Sequence, residues 1–173
     1  IMRQTWPHDR FEVILVDDSG PEHYAPNEQV AREAKVDFRL RYFTTGLPKE
    51  VYGVTVASNL GMSQAESPLV VYTDDDCFCH PAFIAEHVAA HREIDRLMLT
   101  GYRGDTKEVL EQPLPIPLVR EKCRREYEKG LRGELGPGDF KTGNASIKRA
   151  HLLEIGGFNE AMAKPNEYGY TDR

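Results

Sequence analysis

The chain has 173 residues, of which 40% are hydrophobic and 29% are charged, a composition typical of one ordinary globular domain. Its 22 basic and 28 acidic side chains give a net charge of −6 without a continuous basic stripe, which argues against a nucleic-acid partner. No apolar run approaches the roughly 20 residues that a membrane helix needs. We therefore expect a single domain over residues 1–173 with no transmembrane segment, and peripheral association with a membrane stays open.

Three cysteines cannot all pair with one another. Cys77 and Cys79 are separated by one residue, which is too close for an unstrained disulfide. A reducing, cytoplasmic setting is the simplest interpretation. A metal site built on this Cys-x-Cys pair would need a second cluster of ligands, and none accompanies it, so we predict that the two thiols pack within the fold.

Apolar runs alternate with helical patterns along the first hundred residues. The sequence predicts strands over 11–16, 38–43, 69–73 and 96–102, and helices over 26–34, 53–65 and 81–91. This alternation indicates an α/β fold with a mostly parallel sheet flanked by helices. The second half is less regular, with a helix predicted over 118–129, a loop over 130–138, a strand over 140–147 and a helix over 149–155 that stops at Gly156 and Gly157.

Two acidic clusters follow predicted strands. Asp17 and Asp18 come after the first strand, and Asp74, Asp75 and Asp76 come after the third, at the edge where parallel sheets bind ligands. Adjacent carboxylates repel one another unless a cation or solvent screens them, and their oxygens suit Mg²⁺ or Mn²⁺. In an extended segment the first and third carboxylates of the triplet project to the same side. The alternatives are a solvated acidic turn for the triplet and an Asx turn for the pair.

Three segments, in this order and spacing, resemble family 2 glycosyltransferases, which have the GT-A fold. Residues 4–20 resemble the first acidic segment, 57–76 the central helix with its Asp-x-Asp strand, and 143–158 the acceptor-side segment. The likeness extends over nearly the whole chain. It implies a GT-A domain that is incomplete at both ends, without the family's first strand and C-terminal part.

The resemblance implies metal-dependent, inverting transfer of a sugar from a nucleotide diphosphate, with a UDP-sugar the favoured donor, to a saccharide, lipid or other hydroxyl acceptor. Asp76 would bind the Mg²⁺ or Mn²⁺ ion that holds the diphosphate, and Asp172 falls where the family usually carries its catalytic base. Asp18 together with Asp17 would contact the base, and Asp74 would lie near the ribose. The remaining residues assigned to the nucleotide-sugar site are Asn59, Asp75 and Asn144.

Two departures from the family pattern leave an alternative open. Ser58 stands where the family commonly has Arg, and Thr171 replaces the usual Glu beside the base. A truncated or degenerate domain that binds nucleotides without transferring sugar is therefore the second hypothesis. A nucleotidyltransferase ranks lower, because no Gly-rich basic phosphate segment is present. A bacterial receiver domain ranks lower still, because the stretch to Lys164 is too long for that fold.

His87 and His91 are four residues apart beside Glu86. That spacing can bind zinc, but the order is not the His-Glu-x-x-His of a metalloprotease. We expect these histidines to lie on an exposed helix face.

Overall fold

The computed structural model describes residues 1–101, 128–134, 136 and 140–164. Within them the α/β class predicted from the sequence is confirmed. The strands are β1 (Glu12–Asp17), β2 (Arg39–Thr44), β3 (Leu69–Thr73), β4 (Met98–Thr100) and β5 (Asn144–Lys148), and the helices are α1 (Pro21–Glu33), α2 (Val54–Gln64), α3 (Phe83–Glu93) and α4 (Arg149–Glu154). Short 3-10 turns occupy His8–Arg10 and Glu160–Met162. Most of the helix predicted over 118–129 lies outside the described residues, although 128–131 are helical.

The described strands form two sheets of different kinds. β1 and β2 are parallel, with Glu12 opposite Arg39 and Asp17 opposite Thr44, so the expected parallel βαβ unit is present at the start of the chain. In the second sheet β5 lies between β3 and β4 and runs antiparallel to both. Because paired antiparallel strands run in opposite directions, the start of β5 lies beside the end of β3.

Helix α2 connects the two sheets. Its Gly61 faces β1, where a Cβ atom would approach Val16 to 3.4 Å. The neighbouring Met62 is buried in a core cluster with Ile147 of β5 and Leu152 of α4. Val70, Tyr72 and Phe158 pack against this cluster, and the last two rings meet edge to face at 5.5 Å. This packing fixes the ends of β1 and β3 relative to one helix.

Helix α1 begins five residues earlier than expected, at Pro21 rather than Pro26. Gly20 adopts a φ of 105° at its N-cap, and Pro21 occupies the first helical position, where a missing N–H costs nothing. Pro26 therefore lies inside the helix. Across the described residues, no helix is both long and apolar enough to span a bilayer.

Candidate functional site

The acidic triplet lies in a tight turn directly after β3. The backbone N–H of Cys77 donates to the carbonyl of Asp74 at 3.2 Å, so the extended conformation expected for this segment is not what the structure has. The turn nevertheless brings Asp74 and Asp76 together. Their carboxylates and the Cys77 thiol each offer one ligand atom, and these three atoms lie within 4.8 Å of one another.

This group suits a hard divalent cation through its carboxylates. Both aspartates are exposed, and Mg²⁺ is commonly held by one or two carboxylates while its other positions take water and substrate phosphates. Burial raises the pKa of the Cys77 thiol, and the charges of Asp74 and Asp76 raise it further. The thiol is therefore neutral near pH 7 and is a weak ligand beside the carboxylates. Sequence reasoning assigned Cys77 to packing, although its position next to an Asp-x-Asp turn is a signal for this placement.

Asp18 lies beside the N-terminus of α2 and close enough to the triplet for the charge of Asp75 to act on it. Asp18, Asp74, Asp75, Asp76 and, described below, Asn144 are together called the rim. The backbone N–H of Gly53, the N-cap residue of α2, donates to the Asp18 carboxylate. Burial raises the pKa of Asp18, and the charges of Asp17 and Asp75 also raise it. The charge of Asp75 reaches Asp18 although the two residues follow strands of different sheets.

Asp17 makes the contacts of an Asx turn. Its Oδ1 accepts from the backbone N–H of Ser19 at 2.8 Å, and its Oδ2 accepts from Asn27 at 2.8 Å and from Tyr42 at 2.5 Å. Burial alone would raise the pKa of Asp17, but these hydrogen bonds outweigh it and lower the pKa to about 2. Both oxygens are engaged within the chain, which favours a structural role over a contact with a ligand.

Asn59 is also engaged within the chain. Its amide nitrogen donates to the carbonyl of Phe158 at 2.9 Å and its amide oxygen accepts from the N–H of Phe158 at 2.8 Å. The same nitrogen reaches Glu160 at 2.9 Å. Gly157, with a φ of 77°, makes room, because a Cβ there would lie 2.6 Å from the Asn59 oxygen. Asn59 thus joins α2 to the segment after α4.

Asn144 lies at the rim, opposite Thr73 in the antiparallel register. The carbonyl of its neighbour Gly143 accepts from the Cys77 thiol at 3.7 Å. The Asn144 side-chain oxygen accepts from His87 Nε2 at 2.9 Å. The structure therefore brings Asn144 beside the Asp74–Cys77 turn.

The expectation that His87 and His91 form an exposed helix face is wrong. They are only 4% and 6% exposed, and both rings bond to the hydroxyl of Ser146, which has no exposed surface. The sequence feature that could have indicated this burial is the polar pair Asn144 and Ser146. These residues are two apart, so their side chains share one face of β5 and can pair with buried histidines. Ile147 on the opposite face belongs to the core cluster.

We expect the free energy of unfolding to fall as pH decreases from about 6.5 to about 5.5 because of these two histidines. Burial lowers the pKa of His87 and of His91, and Lys148 and His151 add a further lowering at His91. The unfolded chain therefore takes up these protons first. Each histidine contributes stability that is complete above about pH 6.5 and is lost below it, by up to about 1.4 kcal/mol per pH unit. Urea unfolding at several pH values measures this slope.

One variant assigns the effect. His87→Gln should roughly halve the slope, because one of the two titrating groups is removed. A free energy of unfolding that stays constant through this range would contradict the burial of neutral imidazoles.

Asp172 lies outside the described residues, as does Thr171. The assignment of the catalytic base therefore stays a prediction. Among the described residues predicted for the site, the rim carries Asp18, Asp74, Asp75, Asp76 and Asn144.

Comparisons with known proteins agree with one another. A family model described as glycosyl transferase family 2 matches residues 1–156. The chain is 21% identical over 209 aligned positions to the uncharacterized glycosyltransferase YfnE of Bacillus subtilis (strain 168), and the alignment covers 95% of the chain and 51% of YfnE. The chain thus spans about half the length of this relative.

Proposed function

The chain belongs to glycosyl transferase family 2, and on that premise we propose that it forms the donor-binding part of an enzyme that transfers a sugar from a nucleotide diphosphate to a hydroxyl acceptor. The favoured donor is a UDP-sugar, the cation is Mg²⁺ or Mn²⁺, and the reaction is a single displacement with inversion. The observation that carries this proposal is the convergence of the Asp74 and Asp76 carboxylates in the turn after β3.

The rim residues have separate tasks in this proposal. Asp74 and Asp76 hold the cation, which supplies positive charge to stabilise the departing nucleoside diphosphate. Asp18 is partly buried with its carboxylate anchored by the Gly53 N–H, and it accepts a hydrogen bond from the base. A uracil ring offers an imide N–H for this contact. Asp172 takes the proton of the acceptor hydroxyl as the sugar is transferred.

The free thiols of Cys77 and Cys79 are compatible with the cytoplasmic location that belongs to the same proposal. Peripheral association with a membrane belongs to it where the acceptor is a lipid.

Calorimetric titration of the intact gene product with UDP tests the donor half of the proposal. We expect binding in Mn²⁺ and much weaker binding in EDTA, because the diphosphate reaches the carboxylates through the cation. ADP is the matched control for base recognition and should bind more weakly than UDP. UDP affinity that is the same in Mn²⁺ and EDTA would contradict the proposed metal dependence.

A second candidate is a nucleotide-binding domain that does not transfer sugar. Ser58 on α2 favours it, because this position commonly holds Arg in the family and Ser supplies no positive charge for a phosphate. Metal-dependent UDP binding with no release of UDP from any UDP-sugar would select this candidate over the transferase.

A further inference from the structure

A buried row of hydrogen bonds runs from α3 to the start of β5. His91 Nε2 lies 2.9 Å from Ser146 Oγ, and Ser146 Oγ lies 2.7 Å from His87 Nδ1. His87 Nε2 then lies 2.9 Å from the side-chain oxygen of Asn144. Ser146 is fully buried and both histidines are at least nine-tenths buried. Water therefore does not compete for these bonds, and each donor needs an acceptor among them.

The chemistry of the four side chains determines which atom donates and which accepts in each of these hydrogen bonds. The oxygen of an amide only accepts, so His87 Nε2 carries the hydrogen and its Nδ1 carries a lone pair. His87 Nδ1 therefore accepts the hydroxyl hydrogen of Ser146, and Ser146 Oγ in turn accepts from His91 Nε2. The remaining nitrogen, His91 Nδ1, is buried with no hydrogen-bond partner in the described part of the chain, as expected for a lone pair facing a closed interior.

The row ends at the rim of the proposed donor site. Asn144 pairs with Thr73, the residue before Asp74, and its backbone carbonyl accepts from the N–H of Gly101 at 2.8 Å. A Cβ atom at Gly101 would overlap the Asn144 amide, so glycine there leaves the space that the amide occupies. His87 holds the oxygen of the amide, and the NH₂ group lies over Gly101, where a Cβ atom would come within 2.5 Å of the nitrogen.

We propose that His87, Ser146 and His91 are positioning residues that hold the Asn144 amide in one orientation, so that its NH₂ group donates to a diphosphate oxygen of the bound nucleotide. This inference rests on the proposed function. A neutral donor suits a position beside three carboxylates, because it binds a phosphate oxygen without forming an ion pair with the acidic turn. His87 acts directly on Asn144, and Ser146 and His91 act through His87.

The first test is spectroscopic and does not depend on activity. Long-range ¹H–¹⁵N spectra of the intact gene product labelled at histidine report which nitrogen of each ring carries hydrogen. We expect His87 and His91 to be entirely in the Nε2–H form at neutral pH. A His87 ring that carries its hydrogen on Nδ1, or that is doubly protonated at neutral pH, would overturn the proposal.

The second test compares ligands with and without a diphosphate. His87→Leu removes the donor that holds the Asn144 oxygen, and its affinity for UDP in Mn²⁺ should fall about tenfold, the loss of one hydrogen bond to a charged group. Affinity for uridine should stay unchanged, because uridine has no diphosphate. His87→Gln keeps an N–H near the position of Nε2 and should restore most of the UDP affinity.

Further variants separate positioning from damage to the fold. Gly101→Ala should displace the Asn144 amide without altering the histidines and should reproduce the selective loss of UDP affinity. His91→Leu leaves the bond between His87 and Asn144 in place and should lose less. Equal UDP affinity in wild type, His87→Leu and Gly101→Ala, with wild type binding UDP, would refute the positioning role alone. Failure of the wild type to bind UDP would instead refute the proposed function.

Discussion

Asp76→Asn should lower the affinity for UDP in Mn²⁺ by about a hundredfold, toward the value measured in EDTA. The substitution preserves the size of the side chain and removes one of the two carboxylates that meet in the turn after β3. The remaining group is Asp74 with a neutral thiol and a neutral amide, and neither of the last two supplies the negative charge with which a carboxylate holds a hard cation. Calorimetric titration with UDP at fixed Mn²⁺ measures the loss.

Asp75→Asn is the matched control for this prediction. It removes a charge from the same triplet, but Asp75 is not part of the group formed by Asp74, Asp76 and Cys77. The ratio of UDP affinities in Mn²⁺ and in EDTA should therefore stay close to that of wild type, even if both affinities change. An Asp76→Asn protein that keeps the wild-type ratio would show that the cation binds elsewhere.

Local patterns in the sequence predicted the parts of the fold that local physics determines. The strand predicted over 69–73 has the same bounds as β3, and the acidic triplet that follows it marks its end. The helix that became α2 was placed within one residue at each end. Helix α1 was placed less well, because two prolines compete as its start. Pro21 follows the positive-φ Gly20, and Pro26 lies inside the helix despite its missing N–H.

Features that depend on residues far apart in the chain could not be predicted from local sequence patterns. The direction of β5 follows from its pairing with β3 and β4 on both sides, and a strand pattern carries no information on the direction of its partner. The burial of His87 and His91 depends on Ser146, which is 59 residues from the first and 55 from the second. Histidines four residues apart look alike whether such a partner exists or not.

The acidic residues of the rim were predicted only in part. The position of the triplet after a strand predicted the meeting of Asp74 and Asp76, but on the premise of an extended chain. The observed turn achieves the same meeting by a hydrogen bond from Cys77 to Asp74. The Asx-turn alternative describes Asp17, whose oxygens are occupied by Ser19, Asn27 and Tyr42. The hydrogen bonds of Asp17 thus favour a structural role for it, whereas the assignment of Asp18 to the nucleotide site stays a prediction.

Asp172→Asn should reduce sugar transfer by about 10²- to 10⁴-fold while leaving UDP affinity within about twofold of wild type. The amide has the size of the carboxylate but cannot take up the proton of the acceptor hydroxyl. The proposed function assigns donor binding to the Asp74–Asp76 turn and to Asp18, so affinity should not follow the loss of turnover. UDP released from a panel of UDP-sugars measures turnover, and calorimetry with UDP and Mn²⁺ measures affinity. Thr171→Ala is the neighbouring control and should retain turnover.

A sharper prediction compares the Asp76 and Asp172 variants, which should affect different measured quantities. Asp76→Asn should lose metal-dependent UDP affinity, whereas Asp172→Asn should lose kcat and keep UDP affinity. The reason is that the proposed function assigns Asp76 to the leaving diphosphate and Asp172 to the incoming hydroxyl. The double variant should therefore combine the affinity of the first with the turnover of the second. A large fall in UDP affinity in Asp172→Asn alone would assign that residue to donor binding or to the fold, and another group would then have to accept the proton.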